Sequence, residues 1–155
     1  MDTPNLIVVG GPNGSGKSTF ALNHSNATGI RYLGADQIAA ELSPDDPVSA
    51  RIEASRQFIL RIRESIGHRE SLTIESTLAG RSLRNLIADA KRAGYAVTVL
   101  FVFLDSADSC VNRVRQRVIL GGHDVPELDI RRRFVRAIAN FWNIYRGLAD
   151  FWILV

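Results

Sequence analysis

Residues 6–19 read LIVVGGPNGSGKST, and this stretch decides the fold. Its first part, Leu6 to Gly10, is an unbroken apolar run with β-branched residues, which predicts a buried strand. Its second part, Gly11 to Ser18, satisfies the pattern G-x-x-x-x-G-K-[S/T], and a helix is predicted from about Gly16 to His24. Strand, glycine-rich loop and helix in that order form a phosphate cradle. Glycines let successive amides turn inward toward an anion, and the helix N-terminus adds partial positive charge aimed at the same place. Lys17 is the residue expected to reach the β- and γ-phosphates, and the Ser18 hydroxyl is placed for magnesium. A chance match to this pattern in a chain this long has odds of about 1 in a few hundred from average residue frequencies. Gly11, Pro12, Asn13, Gly14, Ser15, Gly16, Lys17, Ser18 and Thr19 are therefore the expected ATP contacts.

Outward from the loop, strands and helices alternate. RYLGA (31–35) reads as a second strand, and the segment from Asp36 as a short helix that Asp36 could cap. Pro44 and Pro47 mark a loop before a long helix from about Val48 to Gly67. SLTIE (71–75) is a third strand, followed by a helix that ends at Gly94. YAVTVLFVFL (95–104) is the most hydrophobic strand and is expected at the centre of the sheet. A helix from about Ser106 to Leu120 stops at Gly121-Gly122, and Asp124 to Glu127 resembles a capping box for a helix running to about Ala149. FWILV (151–155) is a last strand, and Phe134, Phe141, Trp142 and Tyr145 are expected on the core face of the helix before it. The fold class is α/β: a P-loop NTPase three-layer sandwich, with a mostly parallel sheet, helices on both faces and a helical lid. Residues 1–155 are expected to form a single domain, with the lid at about 113–133.

Composition bounds the rest. The chain has 155 residues, 46% hydrophobic and 23% charged, which suits one globular core. No apolar run is long enough to span a bilayer, and MDTPNLIVV lacks a basic region and a cleavage site, so a cytoplasmic protein is expected. The lone cysteine, Cys110, excludes an internal disulfide and reads as a small core residue. The net charge of +3 does not by itself indicate a nucleic-acid partner. All but two of the 19 basic residues are arginine, however, and Arg113, Arg115, Arg117, Arg131, Arg132, Arg133 and Arg136 fall in one stretch. The bland reading of that cluster is a solvated helix face. The functional one is phosphate recognition by planar guanidinium forks.

In parallel α/β sheets ligands bind beyond the carboxyl ends of the strands. Asp36, Glu75 and Asp105 each sit at or just after a predicted strand end, so they should share a rim with the phosphate loop. Asp36 is the candidate general base, able to take the proton of an acceptor hydroxyl; an ordinary helix cap is the competing reading. Glu75 and Thr77 are candidates for orienting the acceptor, while Asp105 reads as a solvated strand-end residue or a cap. Arg113 and Arg117 are four apart and share a helix face, as do Arg132 and Arg136. With Gly121-Gly122 as a hinge, these helices could close as a lid and exclude water, and His123 in the hinge reads as structural. No N-K-x-D-like segment for guanine recognition is present.

With these residues assembled, the chain resembles the zeta-toxin-like P-loop kinases, particularly compact bacterial members. The resemblance rests on GPNGSGKST (11–19), GADQIA (34–39), ESTLAG (75–80) and RVRQRVILGGHDVPELDIRRRFVRAIANF (113–141), of which the last is the most specific. It implies a kinase using ATP and Mg2+ whose better-known members phosphorylate a sugar hydroxyl of UDP-N-acetylglucosamine. It places the base at Asp36, substrate-positioning groups at Glu75 and Thr77, and phosphate-contacting arginines in the 113–133 region. Arg117 and Arg133 are favoured there, with Arg113 and Arg132 next. It also implies an antitoxin protein as a partner. The expected acceptor is a small molecule, with a nucleotide sugar first; the alternatives are a polynucleotide kinase and a nucleotide-binding interaction module with little turnover.

Overall fold

Strand β1 (Asn5–Gly10) sends alternate side chains to opposite faces of the sheet, and that alternation sets the layers. Leu6 and Val8 face one core, while Ile7 and Val9 face another. The computed structural model describes residues 2–155. The second of these cores is covered by α1 (Lys17–Thr28), through Ala21 and Phe20. The first is larger and is covered by α2 (Ala35–Leu42), α3 (Arg51–Gly67) and α4 (Leu83–Arg92).

The sheet has five strands in the order β2-β3-β1-β4-β5, and every pairing is parallel. The other strands are β2 (Arg31–Leu33), β3 (Leu72–Ser76), β4 (Ala96–Phe101) and β5 (Phe151–Leu154). The middle strand is thus β1, not the more hydrophobic 95–104 segment. β4 lies between β1 and β5, and apolar side chains on both of its faces are what any strand covered by helices on two sides needs. It also ends at Phe101, and Phe103 beyond it is exposed.

A third apolar cluster joins α5 (Ala107–Ile119) to α6 (Glu127–Asn140) through Cys110, Val111, Val114 and Ile130. Ser106 caps α5, accepting a hydrogen bond from the Ser109 amide. The expected capping box at Asp124–Glu127 does not form. Pro126 is the residue before the helix and no side chain caps it. Glu127 instead accepts hydrogen bonds from Arg115 and Arg131.

After Asn140 the helix widens into a π-helical turn, Phe141–Tyr145, before the single turn α7 (Arg146–Leu148). The Arg146 amide bonds back to the Phe141 carbonyl, one residue farther than in an α-helix. That phase change keeps Phe141 and Tyr145 fully buried and leaves Trp142 41% exposed, so the expected four-residue core face is only partly realised. Phe134 packs against the α5–α6 cluster instead. Phe141 stacks on Phe101 with ring centroids 4.7 Å apart, and burying a side chain of that size contributes roughly 1.5–3 kcal/mol.

β5 is held to the sheet by Asp150. Its carboxylate accepts from the Val97 amide at 2.8 Å and from Lys91 Nζ at 2.9 Å. The amide bond first, and Lys91 second, hold its pKa below the ordinary 3.8. A depressed pKa stabilises the folded state above the unfolded value and loses that contribution as pH falls through the folded one. The stability gap between wild type and Asp150→Asn should therefore be constant at neutral pH and shrink as the solution is acidified below the ordinary aspartate value, in urea titrations followed by circular dichroism.

Candidate active site

The phosphate loop turns sharply because its backbone takes positive φ at Gly11, Gly14 and Gly16. At Gly14 φ is +78°, and a Cβ there would sit 2.8 Å from the Cys110 carbonyl oxygen. Only glycine meets both conditions. The Ser15 hydroxyl is buried inside the loop without a hydrogen-bond partner, and Lys17 forms no ion pair among the described residues. A cradle with an orphaned hydroxyl and a free ammonium fits an anion with several oxygens. Burial pulls the Lys17 pKa below its ordinary value, while Glu75 and Asp36 pull it back up.

Two clefts adjoin at this loop. The first, of about 230 Å³, is lined by Gly14, Gly16, Lys17, Ser18, Thr19, Arg113 and Arg117. The second, of about 310 Å³, has Asp36, Glu75, Ser76 and Thr77 on its sheet side and Arg133 on its lid side. Lys17, Ser18 and Arg117 line both.

Sheet register explains why the carboxylate side assembles. Gly10, the last residue of β1, pairs with Ser76 of β3 and Phe101 of β4, so three strand ends lie abreast. Glu75 accepts a 2.7 Å hydrogen bond from the Tyr32 hydroxyl at one oxygen, and its other oxygen is buried without a partner. Burial, then the Glu75 charge, raise the Tyr32 pKa, so the phenol stays a neutral donor. Asp36 is the second residue of α2. Gly34 precedes the helix in extended conformation and no side chain caps it, so Asp36 is not a cap. Its side chain lines the second cleft instead.

Thr77 sits in a loop held under strain. Leu78 has φ of +55°, is fully buried, and follows directly. Asn140 donates to the Leu78 carbonyl at 2.8 Å and Tyr145 to the Gly80 carbonyl at 2.7 Å, so the π-helical turn anchors this loop. The Thr77 hydroxyl oxygen accepts from the Ala79 amide, which leaves its own O–H free to donate.

The arginine cluster divides. Arg117 donates to the His123 carbonyl through Nε and Nη2, at 3.2 and 2.8 Å, and Arg133 donates to Asn13 Oδ1 at 3.3 Å. Together with Arg113, these face the clefts. Arg115 and Arg131 form an external lattice with Glu127 and Asp108. Arg132 pairs with Asp129 at 2.8 Å and lines neither cleft, so it is not brought to the phosphates here. Asp105 also lies outside both clefts and accepts from the Ser109 hydroxyl. Sequence reasoning passed over Arg51, Ser55 and Asp124, which line the second cleft. The four-residue spacing of Arg51 and Ser55 at the start of α3 was the available signal.

The family pattern that matches this chain, over residues 6–134, is the AAA domain. The chain belongs to that family. An uncharacterized protein of Haemophilus influenzae is 32% identical to this AAA domain over 124 residues, covering 80% of the chain and 88% of that protein. A candidate kinase from Chloroflexus aurantiacus superposes with a TM-score of 0.74 at 17% identity, over 99% of this chain and 88% of that one. A structure of the PezAT chromosomal toxin–antitoxin system of Streptococcus pneumoniae gives 0.71 at 16% identity, over 99% and 68%. At such identities the structural likeness is one of fold: a P-loop, kinase-like α/β sandwich. Among the described residues no helix is long and apolar enough to cross a membrane.

Gly14→Ala should destabilise the protein by on the order of 1–2 kcal/mol, from the cost of a left-handed backbone alone, and should weaken ATP binding measured by calorimetry. Unchanged affinity would show that the turn at Gly14 does not shape the cradle.

Proposed function

We propose that this AAA domain is a magnesium-dependent kinase that moves the γ-phosphate of ATP to a hydroxyl of a small molecule, in the manner of zeta-toxin-like enzymes. The observation that carries this reading is the pair of clefts meeting at Lys17, Ser18 and Arg117. One cleft is built from the phosphate loop and suits the nucleotide. The other brings a carboxylate, Asp36, to the far side of the same lysine and suits an acceptor.

In this reading Asp36 accepts the proton of the acceptor hydroxyl as its oxygen attacks the γ-phosphorus. The bond from phosphorus to the bridging oxygen breaks, and ADP leaves with the electron pair. Lys17, Arg117 and Arg133 face the charge that spreads over the transferring oxygens, and Arg113 contacts the nucleotide phosphates. Glu75 and Thr77 orient the acceptor, Thr77 through its free O–H. Magnesium, which neutralises phosphate charge in such reactions, would be held by the Ser18 hydroxyl. Among the described residues no group of three or more His, Cys, Asp or Glu side chains is arranged to hold a metal, and a cation carried largely by phosphates and water needs none. Residues 1–155 act as one kinase domain, with 113–133 as a lid that turns at Gly121, where φ is +86°. The likeness to PezAT also supports a neutralising protein partner.

The test is a phosphorus NMR time course with ATP, magnesium and an acceptor panel that starts from UDP-N-acetylglucosamine, run beside Lys17→Ala. A phosphomonoester signal absent from that variant is the expected result. Asp36→Asn should lower the transfer rate by about 10²–10⁴-fold, the usual worth of a positioned base, with ATP affinity nearly unchanged. Transfer at the wild-type rate would remove Asp36 from the mechanism.

A further inference from the structure

Four cationic side chains line the second cleft: Lys17, Arg51, Arg117 and Arg133. None of the four forms an ion pair among the described residues. Lys17 and Arg117 also line the nucleotide cleft, and Arg133 is bonded to Asn13 of the phosphate loop, so the transferring phosphate accounts for those three. Arg51 is left over. It lines the second cleft and is absent from the lining of the nucleotide cleft.

The fold gives Arg51 no structural task of its own. As the first residue of α3 it sits at the positive end of its own helix dipole, where an acidic residue would stabilise and a cation does not. Among the described residues its side chain has one hydrogen-bond partner, a ring nitrogen of His123, Nδ1, at 3.2 Å. For that contact His123 must present a bare Nδ1 and carry its proton on Nε2, and Nε2 is buried with no partner. Ser55, one turn along α3, also lines the cleft, but its hydroxyl already donates to the Arg51 carbonyl at 2.9 Å. The Arg51 guanidinium thus has N–H groups beyond the one given to His123 and, among the described residues, none of them meets a carboxylate, while the His123 Nε2–H has no acceptor.

The carboxylates that face this cleft are Asp36, Glu75, Asp124 and Asp129. Asp129 is neutralised by Arg132 and Glu75 is bonded to Tyr32, while none is paired with Arg51. Asp36 and Asp124 are suited to accept from hydroxyls. The cleft volume of about 310 Å³ matches the lower end of small-molecule sites, roughly 300 Å³.

We propose that Arg51, with His123, forms a specificity site for an anionic group on the acceptor, so that the substrate is a compact polyhydroxy compound carrying a carboxylate or a phosphate. This rests on the reading of the second cleft as the acceptor site. The hydroxyl to be phosphorylated lies toward Asp36, and the anion lies toward Arg51.

The experiment is isothermal titration of protein saturated with a non-hydrolysable ATP analogue, using gluconate as the carboxylate probe, glycerol 3-phosphate as the phosphate probe, and glucose and glycerol as their neutral counterparts. At least one anion should bind, with its neutral counterpart at least tenfold weaker. Arg51→Gln should weaken that anion by about 10–100-fold, the usual worth of a charge-assisted hydrogen bond, while leaving affinity for the ATP analogue unchanged. Which anion responds distinguishes a carboxylate from a phosphate. Equal binding of charged and neutral probes, no binding of either anion, or full anion affinity in Arg51→Gln would each overturn the proposal. Loss of affinity for the ATP analogue in that variant would overturn it too, because Arg51 would then belong to the nucleotide site. The kinase reading is judged separately, since it stands or falls with binding of the ATP analogue to wild type and its loss in Lys17→Ala.

Discussion

The site depends on one constraint: β1 is paired in parallel on both sides, with β3 and with β4. Parallel pairing of neighbours that share a register puts their carboxyl ends at one height. Gly10 is level with Ser76 and with Phe101, so the chain leaves the sheet for the phosphate loop beside the segment that carries Glu75 and Thr77. A one-residue slip of β3 would send Glu75 to the opposite face of the sheet. Register is protected by burial on both faces, because Leu72 and Ile74 would leave their core together.

Strain and anchoring are spent close to the chemistry. The positive φ values outside glycine fall at Arg69 and Leu78, and Leu78 adjoins Thr77. That conformation survives because Leu78 is wholly buried over Gly10 and its loop is tied to Asn140 and Tyr145. The π-helical turn is part of the same device. By shifting the phase of the last helix it keeps Phe141 against Phe101 and brings Tyr145 onto the loop. The core that stabilises the sheet is therefore also what holds the Thr77 loop beside the second cleft.

The lid shows the same economy. The pairs Arg115–Glu127 and Arg131–Asp108 knit α5 to α6 on the outside, where exposed pairs contribute little stability each but hold two helices in one relation. Inside, Arg117 is fastened to the lid turn through the His123 carbonyl. Gly122 leaves room for it, since a side chain there would collide with Arg117. The guanidinium is thereby held against the turn that joins α5 to α6.

From residues 6–19 alone the sandwich, the phosphate loop and its lysine were legible, because a buried strand, a glycine turn and a helix start each leave a local mark. Strand ends bearing Asp36 and Glu75 were legible for the same reason. Strand order was not: the 95–104 segment and β1 are both apolar on two faces, and only long-range pairing decides which lies in the middle. Nor could local spacing divide seven arginines in one stretch into those that face the clefts and those that face water, although the family resemblance favoured Arg117, Arg133 and Arg113, which line them, along with Arg132, which does not. That division depends on how α5 packs against α6 around Ile130, and on where Glu127, Asp108 and Asp129 stand in space. Arg51 and His123, 72 residues apart, meet only in the folded chain. What the sequence determined by itself was the chemistry of the nucleotide cradle, since neighbouring residues build it. What tertiary structure decided was the second cleft, whose lining comes from five segments, at 13–18, 35–36, 51–55, 75–77 and 117–133, that no local pattern connects.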